Sequence, residues 1–519
     1  MPLERDEGEY AYAGQLMLKG VAPYHLAYSM KLPGTDAAYA LTMALFGQTA
    51  SGIHLGLLLV NALTVWMMFV LGRRMFGPLA GLAAALSYAA LSTSEAVLGF
   101  AAHATNYVVL AAVGALILCL KAEETKRNIY YFLAGALAAA AFLCKQPGLF
   151  FALFCGAYLA LRSYQQRADD LRDNDLHGND PRGNEPPPAI LRLLMYAAGF
   201  ALPLFCTGLI LFFSNSLGRM WFWTFSYASK YGSSQTLALG WWDLRSAVPE
   251  VAGPCWPVWV IAVVGLGALL WDSRVRQQRL FLFGLLLFSW ASVSTGLYFR
   301  QHYFILLLPA VSLLAGLAIS SSAHWLFERF RSPLAAAVPV LVFMFAIAYS
   351  TFSQRDLFFE LTPDEATERF YRGNPFAQAV VVSDYLRQQS GEQSTIAVIG
   401  SEPEIYFYSH RHSATGYIYM YPLMEHQDYA ATMQQEMEKE IENNRPEYLV
   451  FVKTPVSWLP QPDSDMSILE WFRKFAANYQ IVGVADGVLP QSKYVWGPEA
   501  ETYRPRSVNS ILVLKRKSS

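Results

Sequence analysis

The sequence predicts a polytopic α-helical membrane protein with about ten transmembrane helices and a C-terminal α/β domain. Three observations predict this class. Of the 519 residues, 54% are hydrophobic and only 15% are charged, whereas soluble domains usually carry roughly 25% charged residues. Apolar runs of membrane-spanning length recur as far as residue 352, and beyond 354 short strands alternate with helices. That alternation is typical of a small α/β domain.

The first 49 residues open with an acidic cluster rather than with an apolar run. Residues 8–19 can form a short helix ended by Gly20, and Thr35 can cap a second one behind the stop at Pro33 and Gly34. We therefore expect two short helices on the membrane surface. An alternative is that Asp6, Glu7 and Glu9 are simply solvated charges at a helix N-terminus, where the macrodipole favours acids.

Ten apolar runs then have the length of about 17–25 residues that a membrane-spanning helix needs. The runs lie near residues 50–71, 78–98, 101–120, 129–145, 147–163, 191–213, 254–271, 279–297, 301–322 and 333–352. Basic residues cluster in every second loop, and cytoplasmic loops retain Lys and Arg. This alternation places residues 1–49 and everything after 354 outside the cytoplasm.

An N-terminus outside the cytoplasm needs a route across the membrane. Nothing ahead of Glu4 resembles a signal sequence. We therefore expect one more transmembrane helix, encoded upstream of Met1 and missing from this chain.

Two domains follow from these patterns. Residues 1–353 form the predicted transmembrane domain, in which the polar stretch 164–190 is an expected flexible cytoplasmic linker. Residues 354–519 form the predicted extracytoplasmic domain. Its clearest elements are strands at 394–400 and 447–453 and an amphipathic helix at 427–444.

Several motifs together resemble the GT-C superfamily of glycosyltransferases. DEGEY (6–10) and MKLPG (30–34) are similar to the D-E-x-x-Y and K-P-P-L motifs of protein O-mannosyltransferases and lipid A aminoarabinose transferases, with Leu32 in place of a proline. FLCKQPG (142–148) is similar to their L-T-K-G-P turn. FRQHYFILLLPAVSLLAG (299–316) and PEIYFYSHRHSATGYIYMYPL (403–423) resemble segments of the bacterial members.

The resemblance implies a GT-C fold and transfer of a sugar from a polyprenyl-phosphate donor, with inversion at the anomeric carbon. Such a reaction needs a base for the acceptor and cations for the departing phosphate. Asp6 is the candidate base, and Glu7 either orients the acceptor or, with Asp6, binds Mg²⁺ or Mn²⁺. The candidate phosphate ligands are Lys31, Lys145, Arg300 and His302. The candidate substrate contacts are Tyr10, Tyr303, Glu95 and His103.

The family's second acidic residue would fall within residues 94–107. The candidates for its place are Glu95, His103 and Asn106, of which Asn106 would occupy it without the charge. Lys145 and Arg300 break the charge alternation by lying at the non-cytoplasmic ends of spans. Their alternative role is to extend toward lipid headgroups.

Three other functions are compatible with these patterns. A multispanning transporter or flippase would carry charged groups near the middle of its spans. The middles of the predicted spans here contain few charged residues. A ligase or polymerase of cell-surface glycans would also need clustered cations. A membrane-anchored binding protein would leave the acidic opening unexplained.

The expected partners are the lipid-linked donor, a protein, lipid or glycan acceptor and the bilayer of a bacterial inner or plasma membrane. Nucleic acid is not an expected partner, because the net charge of −1 gives no basic field.

Overall fold

A computed structural model describes residues 1–177, 189–487 and 492–517 of the chain. The chain divides into two compact units. We call Leu57–Ile210 with Gly232–Arg355 the helical unit. We call Met1–Gly56, Leu211–Tyr231 and Asp356–Ser519 the sheet unit.

Long apolar helices dominate the helical unit. By length and composition, six helical segments of the described residues can cross a membrane: Ala50–Phe76, Ala104–Thr125, Ala189–Phe213, Leu237–Trp271, Gln301–Phe330 and Pro333–Phe352. Pro78–Ser92, Asn128–Cys144 and Arg279–Val293 are shorter apolar helices. Each of the ten predicted apolar runs overlaps a helix. Membrane-spanning helices are therefore confirmed, and the number ten stays a prediction.

Small residues let the helices of this unit approach closely. A Cβ atom added at Gly265 would lie 1.9 Å from the carbonyl oxygen of Leu314, and one added at Gly316 would lie 2.3 Å from that of Ala80. Membrane helices associate through such small-residue contacts because lipid offers no hydrophobic drive between them. Any side chain at either glycine would separate the helices.

The predicted linker at 164–190 differs from the structure in its first half. The helix Leu149–His177 continues through these residues, and the next helix begins at Ala189. Residues 178–188 of the predicted linker lie outside the described residues.

The sheet unit contains a six-stranded sheet in the order β2-β1-β3-β6-β4-β5. The strands are β1 Thr395–Ile399, β2 His412–Ser413, β3 Tyr448–Lys453, β4 Tyr479–Asp486, β5 Lys493–Trp496 and β6 Ser510–Arg516. β1 runs parallel to β2 and β3, whereas β6 pairs antiparallel with β3 and β4, and β5 pairs antiparallel with β4. The predicted C-terminal sheet is confirmed, and the domain bounds 354–519 stay a prediction.

Helices cover this sheet. Their bounds are Pro363–Phe370, Phe376–Gln389, Glu404–Ser409, Tyr421–Met424, Ala430–Asn444, Pro455–Trp458, Ser467–Phe475 and Pro498–Thr502. The helix Ala430–Asn444 shows why they pack. Its buried Met433, Met437 and Ile441 recur every fourth residue, so they share one face, and they join the core against β1 and β3.

The two predicted N-terminal helices also belong to the sheet unit, at Arg5–Leu18 and Gly34–Phe46. The first ends before Gly20, whose φ of 78° suits glycine. The second begins one residue before Thr35, so Thr35 is not its cap. Most of the first helix is buried. Its expected position on the membrane surface stays a prediction.

The C-terminal domain accounts for this burial. The hydroxyl of Tyr12 accepts a 2.7 Å hydrogen bond from the backbone N–H of Ser413 in β2, and the Tyr12 ring stacks on Tyr406 with centroids 5.0 Å apart. The loop after the helix is anchored at Tyr28, whose N–H donates to the carbonyl of Gly416 over 2.7 Å. A Cβ atom at Gly416 would lie 2.1 Å from the Tyr28 ring.

Candidate functional site

The helix Arg5–Leu18, here called the acidic helix, begins with a reciprocal cap. The carboxylate of Glu4 accepts the N–H of Glu7 over 3.1 Å, and the carboxylate of Glu7 accepts the N–H of Glu4 over 3.2 Å. Such a capping box satisfies two backbone donors that the helix itself leaves without partners. It also fixes the direction of Glu7.

The acids of this helix differ in exposure. The side chains of Glu7 and Glu9 are 2% and 6% exposed, whereas that of Asp6 is 26% exposed. The alternative that these are solvated surface charges is therefore wrong for Glu7 and Glu9. Asp6 combines a polar, partly enclosed setting with access from outside.

Lys31 reaches back to the acidic helix from the loop that follows it. Its Nζ lies 2.8 Å from Oε2 of Glu9, 3.4 Å from Oδ1 of Asp6 and 4.4 Å from the centre of the Tyr10 ring. Burial opposes its charge, but Asp6 and Glu9 outweigh burial and raise the pKa of Lys31 well above its ordinary value. Ser29 donates to the other oxygen of Glu9 over 2.6 Å.

Two further side chains contact the candidate acids. The hydroxyl of Tyr419 donates to Oδ1 of Asp6 over 3.2 Å. Nε2 of His54 lies 3.1 Å from Oε1 of Glu7. Asp6 and Glu7 thus have different neighbours although they are adjacent in sequence, because successive residues of a helix do not face each other.

Burial also acts on nearby carboxyl groups. It raises the pKa of Glu4 well above its ordinary value, with repulsion from Asp6 and Glu7 adding to it. It raises the pKa of Asp36 to about 8, with repulsion from Glu9 adding and attraction from Lys31 opposing. At neutral pH Asp36 is therefore mainly a neutral acid.

In the helical unit, several of the predicted residues sit at helix ends. Lys145 follows the helix Asn128–Cys144, and Arg300 precedes the 3₁₀ turn Gln301–Leu307. His103 precedes the helix Ala104–Thr125. Helix ends leave backbone groups without intrahelical partners, so polar side chains are tolerated there.

Aromatic rings bring some of these side chains together. The rings of His103 and His302 stack with centroids 4.2 Å apart, and both residues are buried. Tyr303 lies edge-on to His302 at 4.8 Å, and Nζ of Lys145 lies 4.2 Å above the Tyr303 ring. We call these four residues the cation cluster.

Other predicted residues of this unit have separate neighbours. The guanidinium of Arg300 lies 5.6 Å from the ring of Tyr298. The backbone N–H of Glu95 donates to the side-chain oxygen of Gln354 over 2.8 Å. Asn106 is buried, and its amide donates to the carbonyl of His103 over 3.4 Å.

Comparisons with known proteins support the fold. The family described as dolichyl-phosphate-mannose-protein mannosyltransferase matches residues 31–171. ArnT from Cupriavidus metallidurans bound to undecaprenyl phosphate has a TM-score of 0.59 at 13% identity, and the match covers 100% of this chain and 95% of ArnT. The chain has the GT-C fold. The predicted resemblance to GT-C membrane glycosyltransferases is confirmed.

A second GT-C structure is similar over most of the chain. The archaeal oligosaccharyltransferase AglB from Archaeoglobus fulgidus, in complex with an inhibitory peptide and a dolichol-phosphate, has a TM-score of 0.50 at 12% identity. That match covers 98% of this chain and 72% of AglB. No curated protein sequence matches the chain. At these identities the structural likeness establishes the GT-C fold, and residue roles have to be argued from the contacts.

The divalent cation expected on Asp6 and Glu7 of this GT-C fold stays a prediction. Both oxygens of Glu7 have other neighbours, His54 and the N–H of Glu4. Oδ1 of Asp6 has Lys31 and Tyr419. These contacts give both carboxylates partners within the protein, and the reaction proposed for this chain uses no metal.

Sequence reasoning missed several neighbours of the candidate site. Glu9 lies in the DEGEY motif itself, and its contact with Lys31 could have been suspected from charge alone. His54 and Tyr419 are 47 and 413 residues away from the acids that they contact. No local pattern could have selected them.

Proposed function

We propose that this chain is a membrane glycosyltransferase that transfers a sugar from a polyprenyl-phosphate donor to an acceptor. The GT-C fold and the match to dolichyl-phosphate-mannose-protein mannosyltransferases support the reaction class. The ArnT and AglB structures that share the fold hold undecaprenyl phosphate and a dolichol-phosphate. These lipids support a polyprenyl-type carrier as the donor.

Asp6 is the proposed general base. The observation that carries this role is its 26% exposed side chain on a helix whose neighbouring acids, Glu7 and Glu9, are 2% and 6% exposed. A base has to reach the acceptor's proton directly or through one water. Tyr419 and Lys31 hold the same oxygen of Asp6, which fixes its orientation.

The proposed reaction is a single displacement at the anomeric carbon of the donor sugar. The acceptor's oxygen or nitrogen attacks the anomeric carbon, and the bond from that carbon to the phosphate oxygen breaks with its electron pair remaining on the phosphate. Asp6 takes the acceptor's proton. The products are the glycosylated acceptor, with inverted configuration, and the polyprenyl phosphate.

The departing phosphate needs positive charge, which Lys145, Arg300 and His302 are proposed to supply. Lys145 supports this role because its ammonium rests on the face of Tyr303, a contact that orients a cation. Lys31 was expected to bind phosphate as well. Its ion pairs with Glu9 and Asp6 favour a role in holding these carboxylates, so its phosphate role is the least supported of the four.

We further propose ten spans, with the acidic helix and the C-terminal domain on the extracytoplasmic side of a bacterial inner or plasma membrane. The alternation of basic loops supports this orientation. Single cysteines at the exposed positions Glu392 and Arg276, in a chain whose own cysteines are replaced, test it. A membrane-impermeant thiol reagent applied to intact cells should label the first and spare the second.

The function itself is tested by transfer of radiolabelled sugar from a panel of polyprenyl-phosphate donors in membranes. Wild type should transfer, and Asp6→Asn should lower the rate by about 10²- to 10⁴-fold, the usual worth of a general base. Asp384→Asn is the control, because Asp384 forms an exposed ion pair with Arg387. A folded, inserted wild type that is silent with every donor would contradict the proposal, and an active Asp6→Asn would contradict the base.

A further inference from the structure

Arg5 precedes the candidate base, and its side chain enters the C-terminal domain. Its Nη2 lies 2.9 Å from Oε1 of Glu402, and its Nε donates to the carbonyl of Ser401. The guanidinium is held between two rings, 5.4 Å from the centre of Phe376 and 5.3 Å from that of Tyr421. A planar, permanently charged guanidinium suits such a slot better than an ammonium does. We call these contacts the Arg5 socket.

The socket is closed and its charges are balanced. The side chains of Arg5 and Glu402 are 12% and 0% exposed. Ser457 donates to the second oxygen of Glu402 over 2.6 Å. Glu404 is also fully buried, and burial together with repulsion from Glu402 raises the pKa of Glu404 well above its ordinary value. Burial thus favours the neutral form of Glu404, and the ion pair of Arg5 is with Glu402.

The same short segment contacts both Arg5 and Asp6. Tyr421 covers the guanidinium of Arg5, while Tyr419, two residues earlier, donates to Asp6. One turn further along the acidic helix, Gly8 lies against the backbone of Glu404. A Cβ atom added at Gly8 would lie 2.7 Å from the Glu404 nitrogen, closer than atoms in proteins pack. Charge and shape therefore fix the first turn of the helix on the C-terminal domain.

We propose that Arg5 is a positioning residue for the transfer reaction. Through its socket the C-terminal domain sets the place of the first turn of the acidic helix, and thereby the place of the Asp6 carboxylate. This role rests on the proposed function, because it concerns the rate of that reaction. The anchoring of the helix itself is a separate property that can be measured without any substrate.

The test combines hydrogen exchange with kinetics on the full chain in detergent micelles. Arg5→Met and Glu402→Gln each remove one charge of the socket, and Gly8→Ala pushes the helix away by shape alone. Arg5→Lys keeps the charge without the planar fork, and Asp384→Asn removes an exposed ion pair of the same domain as the control. We expect amide exchange within residues 8–18 to accelerate at least about tenfold in the first three variants, with exchange in β1 and β3 unchanged.

In the transfer assay, kcat should fall by about 10- to 100-fold in the same three variants while KM for the donor changes less than about threefold, since misplacement of a catalytic group by about 1 Å can cost 10²-fold. Arg5→Lys should recover part of kcat, and Asp384→Asn should match wild type. Unchanged exchange in Glu402→Gln and Gly8→Ala would overturn the anchoring. Accelerated exchange with unchanged kcat would overturn the positioning role. If wild type shows no transfer, the proposed function fails while the exchange result still decides the anchoring.

Discussion

The acidic helix and the cation cluster hold their charges in different ways. Glu9 and Asp6 lie within 2.8 and 3.4 Å of an ammonium, so charge there is met by opposite charge. Lys145 rests on a tyrosine ring at 4.2 Å, and His302 stacks on His103 at 4.2 Å. A ring face attracts a cation through its quadrupole.

This difference suits the acidic helix to fixing geometry and the cation cluster to binding the donor's phosphate. An ion pair inside a protein fixes geometry, and removing one partner leaves an uncompensated buried charge. A ring face orients the cation that rests on it, and the cation cluster contains the proposed phosphate ligands Lys145 and His302. The acidic helix should therefore respond to substitution mainly in stability and the cation cluster mainly in donor use, apart from Asp6 itself.

The largest effect should follow from Lys31→Met. This change leaves Glu9 and Asp6 without the ammonium that they share, and breaking a buried pair typically costs about 3–5 kcal/mol. Thermal unfolding in micelles should show it as a lower Tm. The double variant Lys31→Met with Glu9→Gln should regain much of the loss, and a double variant no more stable than the single one would contradict the electrostatic explanation.

Lys145→Met should act on activity instead. We expect kcat to fall about 10²- to 10³-fold, the usual effect of removing one group that stabilises developing negative charge, with Tm little changed. Lys121→Met is a matched control, because Lys121 lies 4.4 Å above the ring of Tyr130 and has no proposed role. Equal losses of kcat in the two variants would contradict a specific role of Lys145 in donor use.

Asp36, in the helix Gly34–Phe46, gives the stability of the sheet unit a pH dependence. The folded-state pKa of Asp36 is about 8, whereas an unfolded aspartate has a pKa near 4. Between these values the folded state binds the extra proton, so stability is fully present below about pH 4 and falls as pH rises toward 8. Asp36→Asn removes this dependence. Relative to the variant, wild type should lose on the order of 1 kcal/mol per pH unit between pH 5 and 7, and parallel stability curves would contradict it.

The smallest effect should follow from Tyr303→Phe. The ring that carries Lys145 remains, so kcat should change by less than about threefold, whereas Tyr303→Leu removes a contact worth about 0.5–2 kcal/mol. A large loss in Tyr303→Phe alone would show that its hydroxyl, rather than its ring, serves the reaction.

Much of the fold was predictable because its signals are local. Apolar runs gave the helices of the helical unit, and the clusters of β-branched residues gave β1 and β3. The start of the acidic helix was placed three residues late, because Glu4 is an unusual cap that acts only through its reciprocal bond with Glu7. The burial of that helix depends on contacts with residues beyond 400, which no periodicity reveals.

The candidate site divides in the same way. Asp6, Lys31 and Lys145 were selected because acids and cations in these motifs resemble a known family. His54, Tyr419 and Arg5 were not selected, because their importance lies in pairings that only the folded chain brings together. Their side chains would be ordinary anywhere else on a surface.

The contact between Gly416 and the Tyr28 ring has a consequence for genetics. Tyr28 lies three residues before Lys31. A side chain at position 416 would therefore push Tyr28, and with it the loop that carries Lys31, away from the acidic helix. A missense allele at Gly416, in the C-terminal domain, would then have the same effect as a substitution that displaces Lys31 in the N-terminal segment. Its second-site suppressors should arise at residue 28, as smaller side chains that restore the missing space.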